Sequence, residues 1–195
     1  MAKSLTLSSL GSLPVTLPEI KEHLRVYDDE ENDSISAILE SAVDYVERTT
    51  GRLLRPGTCV LKMQEFPSGR EPIVLPRPPF VSLTSIAYTD DDGAGQTYAG
   101  ALSLDSVPAE LQPAADDTWP TDTQDIPGAV VVTWSAGYAT AADVPKMLVN
   151  AVRLFCDLEY HEQSPQQAER IRSRMESICD QFKLTDTRLN GISVA

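Results

Sequence analysis

S-I-S-A-I-L-E-S-A-V-D-Y-V-E-R-T-T-G-R, residues 34–52, carries its apolar side chains at Ile35, Ile38, Leu39, Ala42, Val43 and Val46. Steps of three and four place those residues on one side of an α-helix. Gly51 follows as a stop, because glycine tolerates the left-handed turn that ends many helices. An acidic run, Asp28, Asp29, Glu30, Glu31 and Asp33, comes just before. It lacks the alternating ligands and central glycine of a calcium loop. Its expected role is to favour the helix start, where unpaired N–H groups and the dipole attract negative charge. Further upstream, T-L-P-E at 16–19 reads as a capping box, with Pro18 in the first turn. Leu17, Ile20 and Leu24 then share a face, which predicts a short helix of about nine residues.

Helices this short are marginal alone, so the stripes need partners. The sequence supplies them more than ninety residues downstream. Val144, Met147, Leu148, Ala151, Val152, Phe155 and Leu158 recur at helical spacing, with Asp143 expected as the N-cap and Pro145 in the first turn. Ser164, Pro165 and Gln167 give a second start signal. Ala168, Ile171, Met175, Ile178 and Phe182 form its stripe. The link Y-H-E-Q at 160–163 is short, which predicts adjacent antiparallel helices.

Between these helical zones the period changes. C-V-L-K-M-Q-E-F at 59–66, I-V-L at 73–75 and Val81–Tyr88 read as strands. The alternation slips between Leu83 and Ile86, as at a bulge. D-D-D-G at 90–93 predicts a hairpin turn, with Tyr98–Leu104 returning along it. Residues 105–128 read as a loop-rich excursion around Trp119. A-V-V-V-T-W at 129–134 is nearly all apolar, which predicts a central or well-covered strand. The expected fold is α+β: a small bundle of about four helices, with a β-rich subdomain inserted between the second and third. The expected division is an N-terminal arm at 1–13, bundle halves at 14–56 and 141–182, the insert at 57–140, and an extended tail at 183–195.

Formal net charge is −13, and it is unevenly spread. Residues 1–50 hold ten acidic against four basic side chains, 51–142 eleven against five, and 143–195 eight against seven. Duplex DNA binding needs clustered Lys and Arg, so it is not the main job. An acidic wall that DNA merely passes is compatible with this charge. The three cysteines, Cys59, Cys156 and Cys179, make no CxxC pair, and buried free thiols are expected. No apolar run approaches a membrane span, and residues 1–13 lack the apolar core of a signal peptide.

No chemistry-bearing motif appears. There is no G-x-S-x-G elbow, no phosphate-binding glycine loop and no H-E-x-x-H, and the histidines are only His23 and His161. No catalytic residue, cofactor or metal is expected. The loop carboxylates leave a small hydrolase as the remote alternative. The candidate residues are therefore interface residues. Trp119 is either an exposed anchor or a core lid. Arg170, Arg172 and Arg174 lie on either side of the Ile171 stripe, as a solvated face, as partners for the acids Asp28, Asp29, Glu30 and Glu31 of a neighbouring copy, or as a contact with DNA. Lys183 and Arg188 complete the basic set.

The chain resembles the gp6-like head-tail connectors of tailed phages, and within them the phiE125 gp8 branch. The likeness rests on P-V-T-L-P-E-I-K-E-H-L-R-V at 14–26, Y-V-E-R-T-T-G-R at 45–52, F-P-S-G-R at 66–70 and I-V-L-P-R-P-P at 73–79. It continues in V-S-L-T-S-I-A-Y at 81–88, P-G-A-V-V-V-T-W-S-A-G-Y at 127–138 and V-P-K-M-L at 144–148. The resemblance implies a non-enzymatic adaptor in the virion neck, assembled in the host cytoplasm. Its copies would form a ring of about twelve under the portal protein. That ring would extend the DNA channel without sequence-specific DNA contact and dock a stopper or tail-completion protein. The tail at 183–195 would reach the portal. A tail-completion or tail-terminator ring is the alternative within the same logic.

Overall fold

The computed structural model describes residues 3–99, 102–105, 107–184 and 192–194. They form two compact units, one built from Gly11–Arg55 and Tyr138–Leu184, the other from Pro56–Gly137 with the described residues at both chain ends. The fold is α+β, and the β-rich unit interrupts a four-helix bundle between its second and third helices.

In the helical unit, α1 (Leu17–Leu24) starts with the expected capping box. Glu19 accepts the Thr16 N–H at 2.7 Å, and the Thr16 hydroxyl accepts the Glu19 N–H at 3.4 Å. The Thr16 N–H, and after it the Thr16 hydroxyl, which donates to the same Glu19 oxygen at 2.7 Å, hold the Glu19 carboxyl below its ordinary pKa. Arg25 ends the helix at φ 61°. α2 (Asn32–Thr50) ends at Gly51, φ 73°. α3 (Lys146–Tyr160) and α4 (Pro165–Phe182) close the bundle, and the Ser164 hydroxyl accepts the Gln167 N–H at the start of α4. Ile35, Leu39, Val43 and Val46 of α2 meet Leu148, Val152 and Cys156 of α3 and Met175 and Cys179 of α4 in one core. Burial of this kind stabilises by about 1.5–3 kcal/mol per large aliphatic side chain.

Two expected caps differ. Asp143 does not cap α3. It sits in a single 3-10 turn, Ala141–Asp143, and its carboxylate accepts the Thr140 N–H at 3.0 Å and hydroxyl at 2.7 Å. Pro145 is the reason: the residue before a proline avoids helical torsions, so α3 begins only after it. Glu31 is the N-cap of α2 but makes no capping bond with its side chain. Asp33 lies in the first turn of α2, where the helix dipole favours an acid, and Asp29 and Glu31 are engaged elsewhere, as described below.

Beyond Gly51 the chain is clipped to the end of α4. The Leu184 N–H donates to Thr50 O at 3.1 Å, and Arg52 Nε donates to Phe182 O at 2.8 Å. A Cβ on Gly51 would lie 3.3 Å from Leu184 Cδ1. Gly51→Ala therefore combines left-handed strain with crowding, and about 1–2 kcal/mol of stability should be lost. Gly69→Ala, at φ 57° with open space around it, carries the strain alone and should cost less. Thermal unfolding of the two variants checks the order.

In the β unit, β1 (Lys3–Ser8), β2 (Gly57–Met63), β4 (Phe80–Thr89), β5 (Gly95–Thr97), β8 (Val130–Ala136) and β9 (Ile192–Val194) form one sheet in the order β5-β4-β8-β2-β1-β9. All neighbours are antiparallel except β1 and β9. β8 is central, as its apolar run implies, and Cys59, Leu61 and Met63 pair with Trp134, Val132 and Val130 on the buried face. The register of β4 shifts at Phe80/Ser82 and Leu83/Ser85, the second inside the segment where the alternation slips. β3 (Ile73–Val74), β7 (Glu110–Pro113) and β6 (Leu102–Asp105) form a second sheet in the order β3-β7-β6.

Three expectations change here. Lys3–Ser8, read as an arm, is a sheet strand, because K-S-L-T-L-S alternates well enough to pair with β2 from Thr58 to Met63. Residues 102–105 do not return along β4 but pair with β7 inside the expected loop excursion. Of the tail, Ile192–Val194 pairs with β1 in parallel, and 185–191 lie outside the described residues.

Candidate interface surface

The link between α1 and α2 is held from beneath by Lys21. Its side chain is only 12% exposed, and Nζ donates to Asp29 Oδ1 at 2.8 Å, to Asn32 Oδ1 at 2.7 Å and to the Asp28 carbonyl. The Lys21 bond, then the Asn32 bond, hold the Asp29 carboxyl below its ordinary pKa. Glu31 accepts the Tyr160 hydroxyl of α3, and that bond pushes the phenol pKa up. His23 Nε2 and Asp157 Oδ2 lie 2.9 Å apart, a tie between α1 and α3.

Two acids remain turned to the outside. Asp28 accepts only the local Glu30 N–H at 3.3 Å, and Glu30 has no side-chain partner among the described residues. Next to them Tyr27 is 85% exposed. It lines an open groove of about 370 Å³ with Leu17, Pro18 and Val26, edged by Asp29 and Asn32. The sequence reading passed over Tyr27, although an aromatic abutting an acidic run was the signal that marked it.

On α4 the three arginines do not act together. Arg172 is bound to Glu169 at 3.1 Å. Arg170 and Arg174 are exposed and have no ion pair among the described residues. Lys183 is exposed just past the helix, and its N–H donates to Asp180 O. Arg188 lies outside the described residues. No hydrogen bond or ion pair joins these basic residues to Asp28–Glu31 within the chain, among the described residues.

Trp119 is corrected. It is 1% exposed and belongs to the core of the β unit. Its ring stacks on Phe66 at 5.3 Å and 10°, with Tyr98 at 5.2 Å. Its Nε1–H donates to Glu71 O at 2.8 Å. An indole whose face and N–H are both satisfied inside has nothing left to offer a partner. Beside it the Tyr98 hydroxyl donates to Asp117 at 2.8 Å. Burial and that bond push the Tyr98 pKa up to about 12.

Among the described residues no group of three or more His, Cys, Asp or Glu is placed to hold a metal ion. Cys59, Cys156 and Cys179 are buried and form no disulfide with one another, and burial pushes the thiols of Cys156 and Cys179 up to about 12 and about 11. Thiols so disfavoured as thiolates are poor nucleophiles. No helix among the described residues is long and apolar enough to cross a membrane. The surface offers contact chemistry: acids beside an aromatic groove, and an unpaired basic flank.

The family model for phage gp6-like head-tail connector proteins matches residues 14–116, more than half of the chain. The chain belongs to that family. The match takes in α1, α2 and the strands from β2 through β7, so the acidic link and groove of this connector lie within it. No curated protein matches the connector. Solved structures do. A chain in the virion of a native gene transfer agent particle superposes with a TM-score of 0.71 at 18% identity, covering 93% of this chain and 96% of that one. Chains in two neck structures give 0.69 and 0.67 at the same identity and coverage. The first is the neck of the empty particle computed with C6 symmetry, the second the neck of the native particle computed with C12 symmetry. At that identity the likeness is one of fold.

Proposed function

We propose that this connector is the adaptor subunit of a tailed phage or prophage-derived particle. It forms a ring of about twelve copies beneath the portal protein. The ring extends the DNA channel and docks the next neck protein, a stopper or tail-completion subunit. Its work is binding alone, done in the virion neck after assembly in the host cytoplasm. The observation that carries this reading is the family match over residues 14–116. The net charge of −13 suits a channel wall that lets DNA pass without holding it. A ring also needs two different faces on each copy, and the chain carries an acidic link and a separate basic flank.

Electron microscopy of the purified chain mixed with its cognate portal tests the proposal. The expected result is a second ring stacked on the portal. Portals that stay bare at saturating chain concentration would overturn it.

A further inference from the structure

α4 has two flanks of opposite character. Glu169, Glu176 and Asp180 recur at steps of seven and four on one side, and Arg172 is spent on Glu169. Arg170 and Arg174, four apart, share the other side, where Gln167, Ser177 and Gln181 are the remaining neighbours at helical spacing. That flank holds no acid, in a chain with a net charge of −13. A carboxylate three or four residues away would stabilise such arginines on an exposed helix. This one leaves both without an ion pair among the described residues.

The acidic link has the complementary features. Lys21 and Tyr160 hold its backbone and the carboxylates of Asp29 and Glu31, so its shape is fixed before any partner arrives. Asp28 and Glu30 are exposed, one and three residues along the chain from Tyr27, whose groove itself carries the carboxylates of Glu22 and Asp29. A guanidinium fits such a place on two counts. It pairs with carboxylates through parallel N–H donors, and it stacks on an aromatic face. A lysine offers only a point charge, without the planar fork.

From this, and resting on the ring reading above, we infer that the occupant of the Tyr27 groove is a second copy of this chain. Arg170 and Arg174 of one copy pair with Asp28 and Glu30 of the next. The two patches are different parts of one unit, so the contact is head-to-tail and repeats around a closed ring. DNA is the poorer occupant, because the groove's own carboxylates repel phosphate and two arginines neutralise little of a duplex.

Ring assembly on the cognate portal, counted by negative-stain electron microscopy, reads the contact. Arg170→Glu with Arg174→Glu should cut ring yield about tenfold, and so should Asp28→Lys with Glu30→Lys. All four substitutions in one chain re-create the pairing with signs exchanged, and yield should return to within about twofold of the parent. All five residues changed are exposed, and circular dichroism checks that each variant is folded. A cysteine pair, Tyr27→Cys with Arg170→Cys, gives an independent readout, since the three native thiols are buried. A short bismaleimide should link its rings into a ladder of covalent oligomers. Undiminished rings from the arginine variant, no recovery in the fourfold variant, or rings without a ladder would each overturn the contact. So would normal rings in which only DNA retention changes, which would assign the arginines to the channel. If the unaltered chain forms no ring, the adaptor reading falls, and this contact with it.

Discussion

Trp119→Ala should destabilise the protein by about 3–5 kcal/mol, the range for removing a large aromatic from a packed core. The ring is 1% exposed and stacked on Phe66, which itself meets Tyr88 edge-on at 5.4 Å. Deletion leaves a cavity inside that nest and removes the donor to Glu71 O. The cavity dominates, because one neutral hydrogen bond contributes only about 1 kcal/mol. Trp119→Phe separates the two: it keeps most of the stack, loses the N–H, and should cost about 1–2 kcal/mol. Urea unfolding followed by circular dichroism measures both. Were Trp119 a docking anchor, its alanine variant would unfold with the parent and fail only in assembly.

The Trp119 case shows where sequence reading stops. Its burial depends on Phe66 and Tyr98, and no local pattern says that those three rings meet. Local signals read well. T-L-P-E, S-P-Q-Q and T-T-G-R mark helix ends through bonds made within four residues, and A-V-V-V-T-W announces a central strand by lacking a polar face. β1 was harder because Lys3–Ser8 has only two leucines to show alternation, and its strand state depends on finding β2 more than fifty residues away. β6 and β7 hide in a proline-rich stretch for the same reason. The candidate surface was half legible. Composition shows where charges cluster, but not which are already engaged. Lys21 binds Asp29 across eight residues and Tyr160 reaches Glu31 across 129, so the acids left for a partner, Asp28 and Glu30, emerge only from the fold.

Glu47→Ala should cost about 3 kcal/mol, although alanine is the better helix former. Glu47 lies on the buried side of α2 with 3% of its surface exposed. After Gly51 the chain turns inward and buries Leu53 and Leu54, which takes backbone N–H groups away from water. Glu47 Oε1 accepts the Leu54 N–H at 2.8 Å. The same oxygen lies 3.8 Å from Arg55 Nε, too far for a hydrogen bond, so the attraction there is one of charge. One carboxylate thus meets a buried donor and a largely buried cation, and its removal strands both. Glu47→Gln keeps an acceptor for Leu54 but not the charge, so it should fall between the parent and the alanine variant. Replacing the pair, Glu47→Leu with Arg55→Met, removes the stranded cation and should recover part of the loss. Equilibrium urea unfolding of the three variants orders them. If alanine proved no worse than glutamine, the Leu54 bond would contribute little, and the inward turn after Gly51 would rest on its two leucines alone.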